Sequence, residues 1–129
     1  MSTLLWILAV VNVANALWMV IAPASWFTGI PAAVPDTGEF NFHFVRDVGV
    51  AYLVCGIGLA WCAQNLPRAL PVLVGVTLFN FGHAATHVDD ILQGRLPASH
   101  WLIDTPAVFA PTILMIMLCF VLAQRRDAA

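Results

Sequence analysis

Hydrophobic residues occur along this chain in four long runs, and polar residues are concentrated in the segments between them. A helix rises about 1.5 Å per residue, so about 20 apolar residues are enough to cross the hydrocarbon core of a bilayer. Each of the four runs has about this length. We therefore predict four helices, over residues 3–22, 41–63, 69–89 and 105–123.

The segments between the runs contain residues that end helices and form turns. Residues 23–40 include the turn sequence Pro35-Asp36-Thr37-Gly38, and we predict a loop there. Asn41 is the predicted N-cap of the second helix, and Thr105-Pro106 is the predicted start of the fourth. Residues 64–68 form only a short link, which requires the second and third helices to be antiparallel neighbours.

Composition identifies the environment of these helices. The 129 residues are 61% hydrophobic and only 9% charged, with a mean hydropathy of +0.89, whereas soluble domains carry about 25% charged residues. The fold class that we predict is all-α, an integral membrane four-helix bundle with up-down antiparallel topology in one domain, 1–129. A signal peptide is the alternative for the first run, but that run lacks a basic N-terminal region. Nothing in the sequence indicates a nucleic-acid partner, which would need a basic stripe, and we predict none.

The positions of the arginines predict the orientation. Four spans place both termini on one side of the membrane, together with Arg68, Arg125 and Arg126. Cytoplasmic loops carry an excess of positive charge, so we predict cytoplasmic termini and a location in the bacterial inner (plasma) membrane. The acidic loops then face the extracytoplasmic side, and the lipid bilayer is the first partner.

Polar residues inside the runs have two interpretations. Asn12 and Asn15 either form interhelical hydrogen bonds or line a pathway. The cysteines (Cys55, Cys62 and Cys119) form no CxxC pair, and we interpret them as small buried hydrophobic residues. The absence of CxxCH excludes covalent c-type haem.

Two groups of ionisable residues lie at the ends of the second and third helices. His83, His87 and Asp90 share one helical face, and His43 and Asp47 lie one turn apart. Asp47 precedes Pro67 by 20 residues and His87 follows it by 20, so both lie about 30 Å from the turn. We expect the two groups to meet at one level near the extracytoplasmic edge.

Such a group is a hypothesis for a functional site, because ionisable residues are costly in or near hydrocarbon. Imidazole and carboxylate ligands suit Zn, Cu, Fe or Mn. The candidate metal ligands are His43, Asp47, His83, His87 and Asp90. Haem b is a less favoured cofactor and would use one histidine from each helix. The alternative is that these side chains only bond to one another or cap helices.

Three further polar residues lie near this group. Arg46 is a candidate cofactor-binding residue, for an anionic substrate or a haem propionate, and a salt bridge or lipid headgroups are its alternative partners. We predict that His100 is a solvated loop histidine. Asp104 either points to the cluster or precedes the cap at Thr105, and neither His100 nor Asp104 is included in the predicted site.

The segment from Asn41 to Leu53, which includes His43-Phe44-Val45-Arg46-Asp47, together with the later His-x-x-x-His, resembles small four-span bacterial membrane proteins of the DoxX-like group. The resemblance concerns size, span count and a polar edge to the second helix. It implies a membrane protein linked to quinone redox chemistry, and it assigns no site residue.

These observations lead to three functional hypotheses. The first is a metal-binding membrane protein, either a small oxidoreductase or an accessory metal subunit. The second is a non-enzymatic subunit of a homo-oligomer or larger membrane complex, in which the polar cluster serves helix packing. A transporter is the third, and four spans would make only a thin path for it. Whether the protein is an enzyme stays open at this stage.

Overall fold

A computed structural model describes the backbone of residues 1–127 and the side chains of residues 1–125. The described chain is helical and forms no strand, which confirms the all-α prediction. The α-helices are α1 (Ser2–Ile21), α2 (Pro23–Gly29), α3 (Phe42–Gln64), α4 (Leu70–Leu92), α5 (His100–Ile103) and α6 (Ala110–Asp127). Short 3-10 turns cover Val34–Thr37 and Leu66–Arg68, and a π-helix covers Thr105–Phe109.

The four long helices lie where the hydrophobic runs predicted them, and the predicted cap of α3 is formed. The side-chain Oδ1 of Asn41 accepts a hydrogen bond from the backbone N–H of Phe44 at 3.0 Å. This satisfies one of the backbone donors that a helix leaves free at its N-terminus.

The segment that we predicted as a loop, residues 23–40, contains helix α2 and a 3-10 turn. Pro23 begins α2 as well as ending the first run, because proline is compatible with the first turn of a helix. Trp26 of α2 donates its indole N–H to Asn15 Oδ1 of α1 at 2.8 Å. The hydrogen bond confirms that Asn15 links two helices.

The fourth helix begins at Thr105, as predicted, but its first turn is a π-helix and its N-cap is Asp104 rather than Thr105. The short helix α5 ends at Ile103, and Asp104 forms a bend between α5 and the π-helix. The carbonyl of Asp104 accepts from the N–H groups of both Val108 and Phe109. Thr105 caps nothing, since its hydroxyl donates back to the carbonyl of Trp101 at 2.7 Å.

Helices α1 and α3 pack antiparallel and very closely through glycine. A Cβ built on Gly56 would lie 2.7 Å from Cγ2 of Val13, and one on Gly49 would lie 2.8 Å from Cβ of Met19. At the other end of the pair, Ser2 donates a hydrogen bond to the carbonyl of Ala63 at 2.8 Å. Only glycine permits this approach of the two backbones.

Helix α4 lies antiparallel to α3, as the short link predicted. The ring of Tyr52 on α3 contacts Phe79 and His83 on α4, with centroid distances of 5.4 and 5.9 Å. Nearer the link, Gly58 faces Val76. The same antiparallel register, continued along α3, places Asp47 at about the level of His87.

Helix α6 packs antiparallel against α4, and all four long helices contribute to one core. Thr112 donates a hydrogen bond to the carbonyl of Asn80 at 3.4 Å, and Thr77 lies 3.4 Å from the sulfur of Cys119. The fully buried side chains at the centre come from each long helix: Leu5, Leu59, Leu73 and Met115. Cys55 and Cys62 are buried in the same core, as predicted.

In the described part of the chain, three helices are long and apolar enough to cross a membrane. They cover Ser2–Ile21, Phe42–Gln64 and Thr105–Arg125. Their outward surfaces carry large apolar side chains, among them Ile21, Val54 and Phe120. This pattern is typical of a membrane protein, because a soluble chain rarely exposes so many large hydrophobic residues together. Helix α4 is less apolar, because Asn80, the two histidines and two aspartates interrupt its second half.

Candidate functional site

The most buried carboxylate in the described chain is that of Asp104, which lies between α5 and the π-helix with 1% of its side chain exposed. Its Oδ2 lies 2.8 Å from Nδ1 of His87 on α4 and 3.1 Å from Nδ1 of His100 on α5. A buried carboxylate is very costly unless it is hydrogen-bonded and its charge is offset. Both histidines supply the hydrogen bonds.

His100 is itself completely buried and contacts carboxylates on both sides. Its Nδ1 faces Asp104, and its Nε2 lies 3.2 Å from Oδ2 of Asp36. An ionised carboxylate only accepts hydrogen bonds, so both contacts are hydrogen bonds when both ring nitrogens carry a hydrogen. A ring that carries both hydrogens is a cation, and its charge would offset that of an ionised Asp104.

Asp36 belongs to the 3-10 turn between α2 and α3, and about half of its side chain is exposed. The turn is bounded by Ala33, at φ 46°, and by Gly38, at φ 136°. The four side chains of His87, Asp104, His100 and Asp36 form a continuous chain of hydrogen bonds, which we name the His–Asp network. It joins α4, α5 and the loop before α3.

His83 lies one turn before His87 on the same face of α4. The two imidazole rings are 4.7 Å apart between centroids, and the edge of the Tyr52 ring contacts His83 from α3. In the part of the chain that the structure describes, neither ring nitrogen of His83 has a hydrogen-bond partner. His83 therefore adjoins the network without being bonded to it.

The other predicted site residues lie in separate pairs. Nε2 of His43 is 3.2 Å from Asp47, and both side chains are mostly exposed, at 87% and 63%. Asp90 and its neighbour Asp89 both accept hydrogen bonds from Arg95. The bond to Asp90, reinforced by Asp89, raises the pKa of Arg95.

Arg46 stacks over the ring of Phe42, with its Cζ 5.4 Å from the ring centroid. This contact is a cation–π interaction at an exposed position. Of the six predicted site residues, the structure brings together His83 with His87 and His43 with Asp47, and the two pairs form no single cluster. Among the residues that it describes, no three His, Cys, Asp or Glu side chains are arranged to hold one metal ion.

The prediction that His100 is solvated is wrong, and Asp104 and Asp36 are network members that sequence reasoning did not include. A signal for the first two was present, because His100 and Asp104 have the i, i+4 spacing that also pairs His43 with Asp47. Of the two alternatives for Asp104, that it points toward the cluster and that it precedes the predicted cap at Thr105, the sequence favours neither, and Asp104 is therefore absent from the predicted site. The contact with Asp36 spans 64 positions, and no local pattern indicates it.

The arrangement around His87 has two chemical capacities. It joins separate segments through buried, charge-assisted hydrogen bonds, and it fixes the orientation and tautomer of one imidazole.

No family model matches the chain, and neither the curated proteins nor the solved structures provide a match. The resemblance to the DoxX-like group therefore stays a prediction.

Proposed function

We propose that the protein is a small integral membrane protein, in which α1, α3, α4 and α6 cross the bilayer as an up-down antiparallel four-helix bundle. The packing of α4 supports a fourth span, because α4 lies against both α3 and α6. Its 23 residues are about 34 Å long, which matches a hydrocarbon core of about 30 Å. Four spans place both termini on the side that carries Arg68 and Arg125, the cytoplasmic side by their positive charge.

We further propose that the protein is a non-enzymatic structural or accessory membrane component, and that the His–Asp network locks its extracytoplasmic loops onto the helix ends. The single observation that carries this proposal is the complete burial of His100 and Asp104 in contacts made entirely within the chain. A buried charge pair loses about 3–5 kcal/mol when one partner is removed, because the other charge is left uncompensated.

Two aspartates of this chain provide a matched test. Asp104 and Asp47 each lie four residues after a histidine that they contact, but Asp104 is buried and Asp47 is exposed. Asp104→Asn keeps the size of the side chain and removes its charge. We expect it to lower the free energy of unfolding by about 2–5 kcal/mol, and Asp47→Asn to change it by less than about 1 kcal/mol.

Unfolding is measured in mixed micelles by titration with a denaturing detergent and followed by tryptophan fluorescence. The same experiment with His100→Gln, alone and combined with Asp104→Asn, measures the coupling between the two residues. Equal stabilities of the Asp104→Asn and Asp47→Asn proteins would show that the network does not hold the fold together.

A further inference from the structure

We propose that His83 and His87 together bind one late first-row divalent metal ion, such as Cu²⁺ or Zn²⁺, and that Asp104 is the positioning residue for His87. This site goes beyond the structural role of the His–Asp network, and it uses the atoms that the network leaves free. The two imidazoles lie at i and i+4 on α4, with their centroids 4.7 Å apart. Because both side chains belong to the same helix, binding of one ion by both would require only side-chain rotation and no movement of a loop.

The first argument is the tautomer of His87. Its Nδ1 lies 2.8 Å from the carboxylate of Asp104, so the hydrogen of the neutral ring is held on Nδ1. The lone pair is then on Nε2, the atom that remains for a metal. Metal-binding histidines usually donate their second ring N–H to a carboxylate or carbonyl in this way, which also fixes the plane of the ring.

The second argument is the state of His83. Its ring is packed between the Tyr52 ring and the His87 ring, and within the described residues its nitrogens form no hydrogen bond. Oδ1 of Asn12, and not a nitrogen of His83, is the fully buried side-chain atom without a partner in the described chain, so the His83 nitrogens are accessible as well as without a partner. A metal ion shared with His87 would supply that partner.

The third argument concerns the rest of the coordination sphere. No third His, Cys, Asp or Glu in the described chain converges on this pair, so water or another small ligand would complete the shell. A site with two imidazole nitrogens binds Cu²⁺ more tightly than Zn²⁺ or Ni²⁺, following the general order of divalent metals. His43 lies outside this site, because it is exposed and bonded to Asp47.

The test uses full-length protein in detergent, purified without a histidine tag, and Cu²⁺ as the probe. His83→Phe keeps the aromatic packing against Tyr52 and removes both nitrogens. His87→Gln keeps an N–H donor for Asp104 and removes the imidazole. His43→Gln is the matched control, since it removes an exposed histidine of the same chain. Elution volume and helical content confirm the fold of each variant.

We expect wild-type protein and His43→Gln to bind one Cu²⁺ per chain in competition with a chelator, and His83→Phe and His87→Gln each to bind about tenfold more weakly or worse. The electron paramagnetic resonance spectrum of Cu²⁺ bound to the wild type is an independent test that needs no variant. Coupling of the Cu²⁺ to two imidazole nitrogens supports the site. No binding, coupling to fewer than two imidazole nitrogens, or unchanged binding by the His83→Phe/His87→Gln double variant would overturn the proposal. None of these results bears on the stability test of Asp104.

Discussion

Replacing Gly56 by alanine tests whether the close contact between α1 and α3 stabilises the protein. The added Cβ would lie 2.7 Å from Cγ2 of Val13, 3.1 Å from the backbone N of Val13 and 3.2 Å from the backbone O of Ala9. The side chain of Val13 can rotate, but the two backbone atoms belong to α1. The helices must therefore move apart, and packing along their shared surface is lost.

The magnitude follows from two opposing effects. Overpacking a well-packed helix interface costs about 1–3 kcal/mol. Alanine in place of glycine inside a helix gains about 0.5–1 kcal/mol. Gly75 isolates the second effect, because it lies within α4 and a Cβ built on it would meet nothing within 4 Å. We therefore expect Gly56→Ala to be less stable than Gly75→Ala by about 1–3 kcal/mol.

Both variants are unfolded reversibly in mixed micelles, and their midpoints and slopes are compared with those of the wild type. Van der Waals packing is a main force between helices in a membrane, so the difference is expected in lipid bicelles as well. If Gly56→Ala is as stable as Gly75→Ala, then the close approach of α1 and α3 does not contribute to stability, and the reasoning about this interface is refuted.

Two further predictions concern the arrangement in the membrane. The first uses single cysteines placed at Gly38, Gly94 or Gln124 in a protein without its native cysteines. An impermeant thiol reagent added from outside should label the cysteine at Gly38 or Gly94 and not the one at Gln124. The reverse pattern would contradict the proposed orientation. Nitroxide labels at Asp47 and at Ala85, which is exposed on α4, should report depths that agree within about two helical turns, roughly 11 Å. A larger difference would contradict the antiparallel register of α3 and α4.

The positions of the long helices could be predicted from the sequence because hydrophobic runs of membrane length are a local property. The cap at Asn41 and the antiparallel return of α4 after a short link are local in the same sense. The π-helix could not be predicted, since Thr105-Pro106 has the composition of a helix start.

For the site, the sequence by itself determined that His83 and His87 share a face of α4, because 3.6 residues per turn bring positions i and i+4 together. It also determined the level of Asp47 relative to His87, through the length of the helices and the short link. It did not determine which carboxylate His87 would contact. Asp90 lies three residues away on the same helix, yet it is bonded to Arg95 instead.

Only the tertiary structure decided that Asp104, from a segment 17 positions further along, is the partner of His87, and that Asp36, 64 positions before His100, completes the network. The physical reason is burial. A carboxylate and an imidazole that are both removed from water must find charged or hydrogen-bonding partners inside the protein, whereas exposed pairs such as His43 and Asp47 are satisfied by water and by their nearest neighbour. Which groups become buried depends on how α4, α5 and the loop before α3 pack together, and that packing is a property of the whole chain.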